Sequence, residues 1–74
     1  MKQTRKELRQ IALGAVRSEL RKQGRSPQAV DANVAYAVLD NIFRTDKQSL
    51  AAVWYDTASD NDRNKFFREW EKYA

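Results

Sequence analysis

The chain has no cysteine and no histidine, and only one proline and two glycines among 74 residues. Lacking thiols and imidazoles, it has no disulfide staple, no thiolate nucleophile, no histidine base or pH switch, and none of the common zinc ligand sets. No cofactor and no metal site is expected. So little glycine and proline argues against long loops. Sustained period-two alternation is also missing, as are the Asn-Gly and Asp-Gly pairs that mark tight hairpins, so strands have no support. No segment approaches the roughly 20 apolar residues of a transmembrane helix, and the first residues lack the apolar stretch of a signal peptide. These absences lead to the expectation of a soluble, cytoplasmic protein with no membrane contact.

What is present points to a folded helical object. Hydrophobic residues make up 42% and charged residues 32% of the chain, a balance typical of globules rather than disordered tails. The expected fold is all-α, a compact single domain over residues 1–74 built from three to four short helices, with the second helix central. A domain of this size buries only about 60% of the surface its unfolded chain exposes, which leaves little room for a deep substrate cavity.

The helices can be placed from their caps and periodicity. Thr4 and Glu7 form a T-x-x-E capping signal, and Leu8, Ile11, Ala12, Ala15, Val16 and Leu20 follow as one apolar face with Leu13 on its edge. Gly24 is placed to end this helix in the left-handed conformation. Ser26-Pro27 reads as a cap followed by proline at the first helical position, predicting a second helix to about Arg44, with Asp31 as an alternative start. Val30, Val34 to Leu39, Ile42 and Phe43 nearly encircle that helix, the pattern of a buried element. Thr45 or Asp46 is the predicted cap of a third helix with Leu50, Ala51, Val53, Trp54, Thr57 and Ala58 inward. Ser59 and Asp62 begin a fourth, carrying Phe66, Phe67, Trp70 and Tyr73. Seven of the eight aromatic residues lie from Phe43 onward, so the bulky part of the core is expected to be C-terminal.

Charge is the strongest functional signal. The first 26 residues carry eight Lys/Arg against two Glu, and the remainder six against eight acids. On the first helix Arg17, Arg21 and Arg25 are predicted to form one outward stripe, with Arg5, Lys6 and Arg9 upstream. Few acids are spaced along the helix to pair with them. Several cations on one surface suit phosphate recognition, because arginine grips phosphate oxygens bidentately and each neutralised phosphate releases counterions. The same surface would also suit an acidic protein partner, and the blander reading is a solvated helix face. Tyr55 is predicted to point away from the apolar side of its helix, which makes it a candidate partner anchor.

Other motifs are weaker. Asp60, Asp62 and Asn64 imitate the start of a calcium loop, with Glu71 at its twelfth position, but Lys65 stands where the sharp turn needs glycine. The serines have no histidine to activate them, and no pair of carboxylates sits in an apolar setting that would split their pKa values. No enzymatic activity is expected. Residues Leu50 to Trp54, Ala58-Ser59, Asp62-Arg63, Phe66-Phe67 and Trp70 resemble the helix-turn-helix endings of some small phage and plasmid proteins. That resemblance implies an accessory protein of a mobile element, though no glycine-centred DNA-binding turn accompanies it. The leading expectation is a small regulatory protein that contacts nucleic-acid phosphates through the first helix. The alternative is an adaptor or inhibitor that uses the same helix against an acidic protein surface. A homodimer is also expected as a way to cover apolar surface left by so short a chain.

Overall fold

The structure, a computed structural model, describes residues 3–72. Four helices account for its architecture: α1 (Arg5–Lys22), α2 (Ala32–Thr45), α3 (Leu50–Thr57) and α4 (Asp60–Glu71), with a single 3-10 turn at Pro27–Ala29. They form a compact all-α bundle. Both α1 and α2 touch every other helix, so the centre is shared between them rather than occupied by α2 alone. The buried side of α2 is limited to Ala32, Ala35, Val38 and Leu39, while Ala37 is exposed. No helix among the described residues is long and apolar enough to cross a membrane.

Local chemistry explains both ends of α1. Thr4 accepts from the Glu7 amide at 3.1 Å, and its hydroxyl donates to the Glu7 carboxylate at 3.2 Å. The two side chains therefore meet each other, where a full capping box would send the carboxylate back to the cap amide. At the other end Gly24 has φ +76°. The Arg25 amide donates to the Leu20 carbonyl at 2.9 Å and the Gly24 amide to Arg21 at 3.0 Å, the paired bonds of a Schellman motif.

The second helix starts later than Ser26-Pro27 suggests. That pair opens only the 3-10 turn, and the Ser26 hydroxyl donates to the Gln28 side chain instead of capping the backbone. Asp31 is the true cap, accepting from the Val34 amide at 2.9 Å. The reason lies at Val30, which is extended. Its carbonyl accepts from the indole Nε1 of buried Trp70 at 3.0 Å. A helix running through residue 30 would spend that carbonyl on the amide of residue 34, leaving the indole donor without it.

The third helix is capped by Ser49, which accepts from the Ala52 amide at 3.1 Å. Thr45 remains inside α2 with its hydroxyl on the Asn41 carbonyl, and Asp46 forms a local turn by accepting from the Gln48 amide. The buried face of α3 is also rotated from the expected one. Ala51, Ala52 and Trp54 are inside, whereas Leu50 and Val53 are 45% and 40% exposed. A helix of eight residues whose first five are all apolar carries little periodic information, so its neighbours decide which side is covered. Ser59 and Asp62 form a complete capping box for α4, as expected.

The core divides by side-chain size. Ala12 of α1, Ala35 of α2 and Ala51 of α3 are buried in one core cluster, and their lack of bulk lets these backbones approach. Trp54, Phe66 and Trp70 form a stacked row with centroid spacings of 5.5 and 6.3 Å. Tyr73 lies outside the described residues. One element of α1 has no internal reason: Gly14 is exposed in the helix interior, and a Cβ added there would meet no atom within 4 Å. Glycine at such a position costs about 0.5–1 kcal/mol relative to alanine.

Candidate nucleic-acid interface

The buried side of α1 is centred one residue away from the expected line. Leu13 is fully buried with Ala12, Val16 and Leu20, and Arg9 shares their face. Its guanidinium, with a side chain only 8% exposed, pairs with Glu69 of α4 at 3.0 Å. The second oxygen of Glu69 accepts from Gln10 Nε2, also at 3.0 Å. Arg9 is therefore an internal ion-pair residue and is removed from the set of partner-binding cations. Few acids on α1 itself are spaced to pair with its cations, and the partner that Arg9 finds is 60 residues away in sequence, beyond the reach of any helical-spacing argument.

The other candidate cations are more outward. Arg5 is exposed, with Nη1 3.9 Å from the capping carboxylate of Asp62, a long and solvent-screened pair. Lys6 and Arg21 are exposed. Arg17 is half-buried, its Nε donating to the Leu13 carbonyl at 3.3 Å. Arg25 is exposed but follows the Gly24 turn, so it does not continue the helical stripe. Of the two acids of α1, Glu7 is exposed and accepts from the Thr4 hydroxyl, and Glu19 lines a groove against α3.

The Glu69 contact also positions residues that sequence reasoning missed. Lys65 and Lys72 stand one helical turn before and after Glu69, and Arg68 lies on the same outer side; all three are exposed. Because Glu69 reaches both Arg9 and Gln10, these α4 cations flank the seam along which α4 meets the outward side of α1. Their spacing of three and four residues was a readable signal. That spacing alone does not place them beside α1, which the Glu69 contacts do.

Tyr55 occupies a different surface from the one expected. Its hydroxyl donates to Asp40 at 2.6 Å, and its ring is 4.8 Å from Phe43 and 5.5 Å from Tyr36 by centroids. Tyr36 in turn stacks on Phe67 at 5.2 Å. The hydrogen bond to Asp40, aided by burial, raises the Tyr55 pKa above the usual tyrosine value, and burial raises that of Tyr36. Tyr55 is thus half-buried in an aromatic row joining α2, α3 and α4. The exposed apolar residues of α3 are Leu50 and Val53 instead.

An open groove of about 480 Å³ runs between α1, the end of α2 and the start of α3. Ile11, Ala15 and Leu50 supply apolar walls, and Glu19, Lys22 and Asp46 supply charges of both signs. Asp60 to Asn64, the calcium-like segment, is helical, with Asp62 occupied in the α4 cap. The chain matches no protein family, and neither a curated protein nor a solved structure resembles it.

Proposed function

We propose that this chain is a small non-enzymatic binding protein that meets nucleic-acid phosphates through a cationic surface shared by α1 and α4. The observation that carries this reading is the arrangement around Glu69. Lys6 and Arg21 on α1, Lys65 and Arg68 on α4, and Lys72 at its C-cap are exposed, while the two α4 acids that meet α1, Glu69 and Asp62, already face Arg9 and Arg5. Cations on two adjoining helices can contact phosphates at several points, which a single stripe does less well. Nothing in the arrangement reads base identity, so the expected binding is indifferent to sequence. Fluorescence anisotropy with a short labelled duplex at low salt tests the reading. Affinity should fall with a log–log salt slope of about −3 to −5, as neutralising four or five phosphates requires.

One observation favours a second reading. The groove lined by Ile11, Ala15 and Leu50 suits an apolar side chain from a protein partner better than it suits a phosphate. Under that alternative the chain is an adaptor or inhibitor. A Leu50→Asp variant would then lose its partner, whereas the nucleic-acid reading expects Leu50→Asp to leave duplex binding nearly unchanged.

A further inference from the structure

We infer that the groove between α1, the end of α2 and the start of α3 is the seat of a second copy of this chain, which docks there as a two-fold dimer. The inference commits the groove to one occupant and stands apart from the nucleic-acid reading, because none of Lys6, Arg21, Lys65, Arg68 and Lys72 lines it. Shape gives the first argument. The hollow of about 480 Å³ has apolar walls at Ile11, Ala15 and Ile42, and Leu50, a large hydrophobic side chain left 45% exposed, stands on its rim. Knob and hollow lie side by side on one surface. A two-fold axis lays each copy's patch on the same patch of the other, so an axis along the groove sets Leu50 of each copy against the α1 wall of its partner, at Ile11 and Ala15.

Charge gives the second argument. A rim of one sign repels its own copy, whereas the exposed charges of this rim are Lys22 on the α1 wall and Asp46 on the wall opposite, with Glu19 half-buried beside Lys22. Among the described residues neither Lys22 nor Asp46 forms an ion pair within the protomer. Their charge is unspent. The axis that carries Leu50 to the partner's α1 wall also turns Lys22 of each copy towards Asp46 of the other, so the two exposed rim charges meet their opposites. The lining is modest, with eleven residues where a standard interface takes about 20–30 a side. A weak dimer follows, with a Kd of about 10–100 μM.

Sedimentation equilibrium without nucleic acid tests this. Wild-type protein should pass from monomer to dimer between about 1 μM and about 500 μM. Leu50→Asp should keep the helical circular-dichroism signal, since residue 50 opens α3 and an acid in the first turn suits the helix dipole, while raising the dimer Kd by about tenfold or more. Lys22→Glu should raise it by about fivefold, because the change sets an acid against Asp46 twice in each dimer. Adding Asp46→Lys to Lys22→Glu should bring the Kd back to within about twofold of wild type. Wild-type protein that stays monomeric over the whole range overturns the inference and leaves the groove to a different protein. Dimerisation of Leu50→Asp at the wild-type concentration overturns this groove as the interface. A double variant that dimerises no better than Lys22→Glu overturns the two-fold arrangement.

Discussion

Two sides of this bundle carry conspicuous polar chemistry, and they use it differently. Along α2, α3 and α4, Tyr55 donates to Asp40 at 2.6 Å, Arg44 approaches the same carboxylate at 3.2 Å, and the rings of Tyr36, Phe43 and Phe67 complete the row. The Asp40 carboxylate is satisfied internally there, whereas the buried Tyr36 hydroxyl makes no hydrogen bond. Along α1 and α4, Arg9 is drawn inside to Glu69 and Arg17 is half-buried against the Leu13 carbonyl, while Lys6, Arg21, Lys65, Arg68 and Lys72 remain exposed. A tyrosine or an arginine is therefore no guide to function by itself. The informative quantity is how much of its polar capacity the fold already consumes.

The largest disruption should come from the centre that both sides share. Val38 is buried, with 8% exposure, and Val38→Asp would place an unpaired carboxylate among the helices at a cost of several kcal/mol. A domain of this size should then be unfolded by circular dichroism at room temperature. A melting curve indistinguishable from wild type would refute the burial assigned to α2.

Next in size is the bridge between α1 and α4. Glu69→Ala should destabilise by about 2–3 kcal/mol, because it leaves the enclosed Arg9 guanidinium without its carboxylate. Adding Arg9→Met should recover much of that loss, since an apolar chain of similar length replaces an uncompensated charge. Chemical denaturation of both variants checks this. If Glu69→Ala costs nothing, α4 is not docked through that pair and its lysines do not adjoin α1.

The tyrosine side should respond less. Tyr55→Phe keeps the ring stack and loses one partly exposed hydrogen bond, an effect of about 1 kcal/mol. Its pH dependence gives the sign. The folded protein holds the Tyr55 proton more tightly than the unfolded chain does. The bond's contribution is thus fully present below the unfolded tyrosine pKa near 10 and is lost as pH rises through the higher folded value. Wild-type stability should decline over that alkaline window more steeply than Tyr55→Phe stability does.

Which parts were legible in the sequence follows from the range of the forces involved. Caps act within three or four residues, so Thr4, Gly24 and the Ser59–Asp62 box could be read directly. The all-α class followed from periodicity in the same way. Asp31 could be named as a start of α2, but the choice between it and Ser26-Pro27 could not be made, because it depends on Trp70 needing the Val30 carbonyl 40 residues earlier. Arg9 was misplaced for the same reason, and Tyr55 because its partners Asp40 and Tyr36 sit on another helix. In the candidate interface, Lys6 and Arg21 could be found by facing alone. The contribution of α4 needed the tertiary contact through Glu69.

Under the proposed function the α1 and α4 cations serve a partner while the tyrosine side serves the fold. The most direct measurement compares duplex affinity and melting temperature for Arg21→Glu/Lys65→Glu/Lys72→Glu with those for Tyr55→Phe in the same buffer. The three charge reversals are at exposed positions and should leave stability within about 0.5 kcal/mol per site, yet eliminate binding at salt concentrations where wild type binds. Tyr55→Phe should do the reverse, melting earlier with its affinity intact. Retained binding by the triple variant, or lost binding by Tyr55→Phe under conditions where it remains folded, would contradict the account.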